Sequence, residues 1–312
     1  MLITSNADFV SAGWAGDGSQ GIPYTIEWLQ FTSLVDEACI SISDTTAYFR
    51  IMNCSFSPTT FGYGFKLNNA VNGEILYSIA GPNVHGIRVD ASSNIQLSYL
   101  TLPNTCITIE QSSQCFVSCC TISYGPGDGV FLGSCSQMTI QGCEISDCAA
   151  SGISLDNTGD TTISENSIQG NFLEQIYISG VSSVNRIHNN LIQTGTSGVR
   201  DNGDNNIWDN GVSIGNWWSD YGGSGYYYVP GTAGSVDRFP RGPTSTEPTI
   251  ITTTTSTTST TATTTTGNTV PGVGEVVVTS WAPLDFSVRM ILALSIGLSY
   301  GALVLFIIKR LR

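Results

Sequence analysis

Three carboxylates close the same short pattern. The segments Gly86-Ile87-Arg88-Val89-Asp90, Cys106-Ile107-Thr108-Ile109-Glu110 and Gly152-Ile153-Ser154-Leu155-Asp156 each read small, Ile, variable, apolar, acid. Carboxylates repeated at one structural position support three kinds of chemistry. They can serve as the acid and base of glycoside cleavage, hold a hard cation such as Ca²⁺ through oxygen ligands, or accept hydrogen bonds from sugar hydroxyls. Lys66, Arg88, Phe131 and Tyr177 occupy the variable position of the same pattern, and His85 lies just upstream of Arg88. Carboxylates, a guanidinium and aromatic rings in one groove would suit a carbohydrate. The same columns equally fit a solvated outer wall, on which opposite charges in neighbouring strands support each other by about 0.2–1 kcal/mol.

These residues need an element that repeats. One apolar column reads Ile51, Ile75, Leu97, Val117, Ile140, Ile163, Ile187 and Ile207. A second follows about five residues later: Phe56, Ile79, Leu102, Ile122, Ile145, Ile168, Ile192 and Val212. A third opens the strands already quoted: Ile40, Phe65, Ile87, Ile107, Val130, Ile153, Ile176 and Val199. A period in the low twenties leaves leucine-rich repeats or β-solenoids. The β-branched columns, punctuated every few residues by Gly or Asn, leave no room for a helix in each repeat. The expected fold is therefore all-β: a right-handed parallel β-helix of about eight coils, with three short strands per coil stacked at about 4.8 Å. Residues at the variable and acid positions then point outward. Asp90 and Glu110 fall one coil apart, whereas Glu110 and Asp156 fall two coils apart, roughly 9–10 Å. That distance is near the upper end of the carboxyl separation used by inverting glycosidases, about 6.5–9.5 Å.

Two residues before the second column runs a further ladder: Cys54, Tyr77, Leu100, Cys120, Cys143, Asn166, Asn190 and Asn210. Stacked Asn side chains at a corner can hydrogen-bond along the stack, and Cys can replace them as a small buried group. The nine cysteines are compatible with buried thiols, with a bridge such as Cys120–Cys143, or with a soft-metal site; no zinc-finger spacing is present.

Composition narrows the partners. Eleven basic against 24 acidic residues, net charge -13, argue against nucleic acid. Residues 1–243 carry the repeats and an aromatic closing segment, in which Trp208, Trp217, Trp218, Tyr221, Tyr226, Tyr227, Tyr228 and Phe239 supply a cap for the solenoid end. Residues 244–270 form a Thr/Ser-rich stalk and 271–289 a juxtamembrane segment. Residues 290–308 lack any charge and are long enough to nearly span a bilayer as a transmembrane helix. The basic tail, 309–312, is expected to stay cytoplasmic, which places the bulk of the chain outside the cell membrane as a single-pass protein. The first residues do not read as a signal peptide, so the expectation requires a start further upstream; tail anchoring is the alternative.

The Gly-Ile-x-Leu and Asn-x-Ile elements at this period resemble the carbohydrate-binding and sugar-hydrolase β-helix superfamily, especially its NosD-like members of the archaeal surface-protein type. GDGSQGIPYTIEWLQF resembles their first coil, and GNWWSDYGGSGYYYVPGTAGSVDRFPR their closing segment. The resemblance spans roughly Ile3 to Pro243 and implies the fold more firmly than an activity. Its copper-binding name carries no residue motif, and with two His and four scattered Met this chain offers no copper site in its sequence. The Asp-Asp, Gly-His-Gly and Arg-x-Lys elements of polygalacturonase-like β-helices are missing. The expectation is a surface-displayed module for glycans or envelope proteins. The alternatives are a polysaccharide lyase or glycoside hydrolase using Asp90, Glu110 and Asp156 and, supported only by the family name, a metal accessory factor.

Overall fold

Each coil alternates inward apolar and outward polar residues and then turns sharply, and that alternation dictates the architecture. The computed structural model describes residues 1–246 except 32–36, 57–61, 82–84 and 196–197. It is an all-β, right-handed parallel β-helix of about eight turns. The first face stacks Ala38–Thr45, the start of Tyr63–Leu76, Ile87–Asp90, Ile107–Glu110, Val130–Gly133, Ile153–Asp156, Ile176–Ile178 and Arg200–Asp201. The second includes Phe49–Met52, Ser93–Ser98, Phe116–Ser118, Thr139–Gln141, Thr162–Ser164 and Arg186–His188. Strand Tyr63–Leu76 bends round from the first face into the second and joins them as one sheet. The third face runs from Gln30–Phe31 to Trp217–Trp218 as a nine-stranded sheet.

The register follows the Ile columns. Val117, Ile140, Ile163 and Ile187 pair in succession on the second face, and Ile107, Val130, Ile153 and Ile176 on the first. All eight are fully buried. Burying one such side chain contributes about 1.5–3 kcal/mol, and repetition from coil to coil makes the core continuous.

Corners are where the backbone is least free. Non-glycine residues with left-handed backbone form vertical columns. Ala91, Gln111, Ser134 and Asn157 leave the first face, and Asn94, Gln114, Gln137 and Asp160 enter the second. Asn53, Tyr77, Tyr99, Cys119, Glu165 and Asn189 turn from the second face to the third, and Asn104, Tyr124 and Asp147 leave the third. The residue after each is typically small or polar and points inward. Its side chain often donates to the carbonyl two residues back, as Ser92 does to Asp90 (2.6 Å), Thr158 to Asp156 (3.0 Å) and Cys135 to Gly133 (3.3 Å). In the same ladder Thr158 Oγ1 also accepts the N–H of Cys135 from the preceding coil (3.3 Å). Turn groups that would otherwise be buried and unpaired are satisfied this way.

Cys54, Cys115, Cys120, Cys135, Cys143 and Cys148 all hold such inward corner positions, and all nine cysteines are free thiols. Cys120 and Cys143 are neighbours in one ladder, where Cys143 Sγ receives the Cys120 N–H (3.5 Å). Above them Asn166 Oδ1 accepts from Cys143, Asn190 Oδ1 from Asn166, and Asn216 Oδ1 from Asn190.

Five sequence assignments shift. Ala80, paired with Phe56, takes the column place given to Ile79, which is 39% exposed. The Phe56 and Phe65 rings, 4.1 Å apart, already fill that volume, so the small residue faces inward. The ladder rung there is accordingly Ser78 rather than Tyr77. In the last coil, residues 209–215 form a loop closed by an antiparallel bridge between Asp209 and Gly215. Trp218 and Asn216 therefore hold the places assigned to Val212 and Asn210, and Val212 is exposed on the loop, whereas ahead of the loop Ile207 pairs with Arg186 and leaves the place assigned to it to the buried Trp208.

Both ends are closed. At the start, the short helix Asn6–Ser11, absent from the repeat pattern, lays Phe9 on Tyr24 (4.8 Å, stacked). At the far end Trp208 and Trp218 are fully buried, and Tyr227 stacks on Trp218 at 3.8 Å. Tyr226 and Tyr228 are exposed and take no share in the burial. Most of the expected stalk and the whole apolar run lie beyond residue 246, outside the described residues. Among the described residues no helix is long and apolar enough to cross a membrane.

Candidate functional site

Strand pairing on the first face puts the expected outward columns in register. Asp90 pairs with Glu110, Glu110 with Gly133 and Gly133 with Asp156. Beside them run Lys66, Arg88, Thr108, Phe131, Ser154, Tyr177 and Arg200.

Arg88 is the hub of the lower half. Its Nε donates to Asp90 (2.7 Å) and its Nη2 to Glu110 (2.6 Å), so one guanidinium holds both carboxylates. Burial disfavours its charge, but the hydrogen bond and charge of Asp90 together with the charge of Glu110 outweigh that and raise its pKa above the usual arginine value. Lys66 is engaged by Glu37, whose carboxyl is held below its ordinary value by the lysine hydrogen bond and charge. His85 is exposed at the edge of the face, its ring 5.5 Å from that of Tyr63.

A residue without a side chain shapes the upper half. A Cβ on Gly133 would lie 2.8 Å from the Phe131 ring and 3.3 Å from Glu110 Cγ. The ring therefore leans over the bare glycine backbone. Glu110 borders this place on one side and Asp156, which is exposed, on the other. Gly133 carries no side chain, so the pattern of chemistry-bearing residues in the column does not single it out. Its signal is the one coil where the run Asn68, Asp90, Glu110, Asp156 lacks a polar group. Tyr177 is half-buried two coils beyond Phe131, on the strand that follows that of Asp156.

The arrangement can offer an apolar floor with a carboxylate acceptor at each side. It offers less to a cation. A Ca²⁺ ion between Asp90 and Glu110 would have to displace Arg88, and among the described residues no three His, Cys, Asp or Glu side chains converge as ligands.

A second cluster lies at the strand entrances of the same face. Asp128 accepts from the Ser151 N–H (2.8 Å), and Glu174 pairs with Arg200 (3.1 Å). Burial raises the Asp128 pKa, and the charge of Glu174 adds to it. Nothing in the repeat pattern singled these residues out.

Residues 35–223 match the family described as periplasmic copper-binding protein (NosD). The chain belongs to the NosD family. Among solved structures, a periplasmic alginate epimerase AlgG double mutant is similar with a TM-score of 0.50 at 14% identity, covering 70% of this chain and 50% of that one. The tailspike protein Dettilon gp208 (TM-score 0.40, 13% identity, 73% and 57% covered) and the pectate lyase Pel9A (0.34, 12%, 70% and 67%) are more distant. This chain thus spans about half the length of the alginate epimerase. No curated protein matches it.

The copper in the NosD description can be tested against the donors present. His85 precedes the first face and His188 lies on the second. The inward thiols are engaged in corner hydrogen bonds, and burial pushes Cys54, Cys115 and Cys148 up to about 11, favouring the protonated form that does not ligate. The described residues do not fit a copper centre, and no chemistry of this chain is derived through one.

Proposed function

We propose that this chain is a surface-displayed, glycan-binding module and that the strip from Arg88 to Asp156 on the first face takes a neutral polysaccharide. The observation that carries the reading is the Phe131 ring spread over Gly133 between Glu110 and Asp156. A ring face packs against the C–H face of a pyranose, and flanking carboxylates accept its hydroxyl hydrogens. Alginate, the polymer in the epimerase's name, is polyanionic, whereas this chain carries a net charge of -13 and an acidic strip; repulsion favours an uncharged glycan. Display at a membrane is supported by the 19 uncharged residues Met290–Ile308, the basic residues after them and the Thr-rich stretch before them.

The test is isothermal titration of neutral oligosaccharides into the protein and into Phe131→Ala and Asp156→Asn. Phe131→Ala should weaken binding at least tenfold and Asp156→Asn severalfold, with thermal midpoints unchanged. Equal binding by Phe131→Ala, or tighter binding of uronic-acid polymers than of neutral ones, would overturn the assignment.

A further inference from the structure

The corner between the second and third faces carries large aromatic residues where the backbone least welcomes them. Trp28 (φ 60°), Tyr77 (φ 49°) and Tyr99 (φ 56°) all adopt left-handed backbone. That region disfavours large side chains and suits Asn or Gly. Three other coils of this column make the favourable choice, with Asn53, Gly142 and Asn189, and two carry the smaller or polar Cys119 and Glu165.

The core does not require these rings. Trp28 is 55% and Tyr77 38% exposed. The inward residue at this corner is the next one along, Ser78 after Tyr77 and Leu100 after Tyr99. The Tyr77 and Tyr99 rings stack on each other at 4.8 Å, tilted by 13°, outside the barrel. The strand residues beside the two tyrosines, Leu76 and Ser98 on one side and Ile79 and Thr101 on the other, are uncharged, and the one carboxylate in that row, Glu27 beside Trp28, can accept hydrogen bonds from hydroxyls. Conformational strain that serves no core packing is a mark of function. A row of aromatic rings, exposed at Trp28 and Tyr77, half-buried at Tyr99 and spaced by Asn53 between the first two, matches a ligand that has both C–H faces and hydroxyls and bears no charge.

We infer that the Trp28–Tyr77–Tyr99 corner is a second polysaccharide contact, separate from the Phe131 strip, which grips a neutral glycan strand lying along the solenoid axis. It rests on the glycan-binding reading for the class of ligand but on none of the same residues. With two contacts on different faces, one polymer could be held at two places, and avidity would exceed either contact alone.

The experiment compares wild type with Tyr77→Asn, Tyr99→Asn, Trp28→Asn and Tyr77→Phe by affinity electrophoresis in gels containing neutral soluble glucan or mannan. Circular dichroism melts run in parallel. The Asn variants should lose retardation at least tenfold while their thermal midpoints stay level or rise, because Asn relieves the strained backbone. Tyr77→Phe should bind as wild type. Two outcomes overturn the inference: Asn variants retarded like wild type, or Asn variants that melt well below it, which would show the rings to be packing elements. Phe131→Ala separates the two readings. Loss of retardation in that variant alone removes the corner and leaves the strip, whereas loss in the corner variants alone does the reverse.

Discussion

Replacing Asn190 with Leu tests the corner ladder directly. The Asn190 side chain is fully buried, and its Oδ1 accepts both the backbone N–H (3.0 Å) and the Nδ2–H (2.9 Å) of Asn166. Its own Nδ2 donates to the carbonyl of Ile163 (2.9 Å) and to Asn216 Oδ1 (2.9 Å). Leucine has a similar size and no acceptor. Two buried N–H groups of Asn166 would lose their partner, at about 1–3 kcal/mol each, for a total of roughly 2–6 kcal/mol. Asn166→Cys is the matched control, because the preceding coil uses Cys143 at the same rung. A sulfur there can still receive the Cys143 N–H, as Cys143 Sγ receives that of Cys120, so its cost should be less than half as large. Urea unfolding followed by tryptophan fluorescence reads both, since Trp208 and Trp218 are buried in the coils just above. An Asn190→Leu protein within about 1 kcal/mol of wild type would refute the ladder argument, because an orphaned buried donor should cost at least that much. So would an Asn166→Cys protein as unstable as the leucine variant.

Three further outcomes follow from the same contacts. Removing the guanidinium in Arg88→Gln leaves Asp90 and Glu110 side by side without a counter-charge; about 1 mM Ca²⁺ should then raise the thermal midpoint of the variant by a few degrees and leave wild type unmoved. Burial works against ionisation of Asp209, but the bidentate Arg238 guanidinium and the N–H groups of Gly211 and Arg238 outweigh it and hold its pKa below the ordinary value. Asp209 therefore contributes stability that is full above the unfolded carboxyl pKa of about 3.9 and is lost as pH falls through the lower folded value. In Arg238→Gln, thermal melts at descending pH should show that contribution gone. Finally, a thiol reagent at about pH 8 should reach Cys106 and Cys119, the two partly exposed cysteines, well before the others. Rapid native labelling of Cys54 or Cys115, whose thiols burial pushes up to about 11, would contradict the packing described.

Much of the fold was legible because the inner columns are long and chemically uniform. Ile107, Val130, Ile153 and Ile176 align by type alone, and the outward positions between them follow from strand alternation. Sequence reading slipped where hydrophobicity and direction part company. Ile79 and Tyr77 carry large rings or chains yet face out, because Ala80 fits beside Phe56 and Phe65 and Ser78 makes the hydrogen bonds of the ladder rung. In the last coil, Asn210 and Val212 fall out of register because the loop at 209–215 shifts the spacing, and nothing in composition marks it as an insertion. At the candidate site, the columns were readable, and so was the adjacency of Asp90 and Glu110. The grip of Arg88 on both was not, since it depends on side-chain rotamers. The ring over Gly133 was hidden for a different reason: the informative feature there is a missing atom.

At the entrance to the second face a further ladder passes from Thr161 to Asn185 Oδ1 (3.0 Å) and from the Asn185 N–H to Asn206 Oδ1 (2.9 Å), and it ends as the first one does. Asn216 gives its backbone N–H to Asp237 Oδ2 (2.7 Å), and Asn206 gives its Nδ2–H to Asp201 Oδ1 (2.9 Å). Each carboxylate also takes an indole N–H, from Trp218 and Trp208 respectively. An amide both receives and passes on a hydrogen bond, so a column of amides has no natural last member. Here both oxygens of each carboxylate receive hydrogen bonds and pass none on. These aspartates are therefore full stops: the last donor of each amide column meets an acceptor instead of being left buried and unpaired.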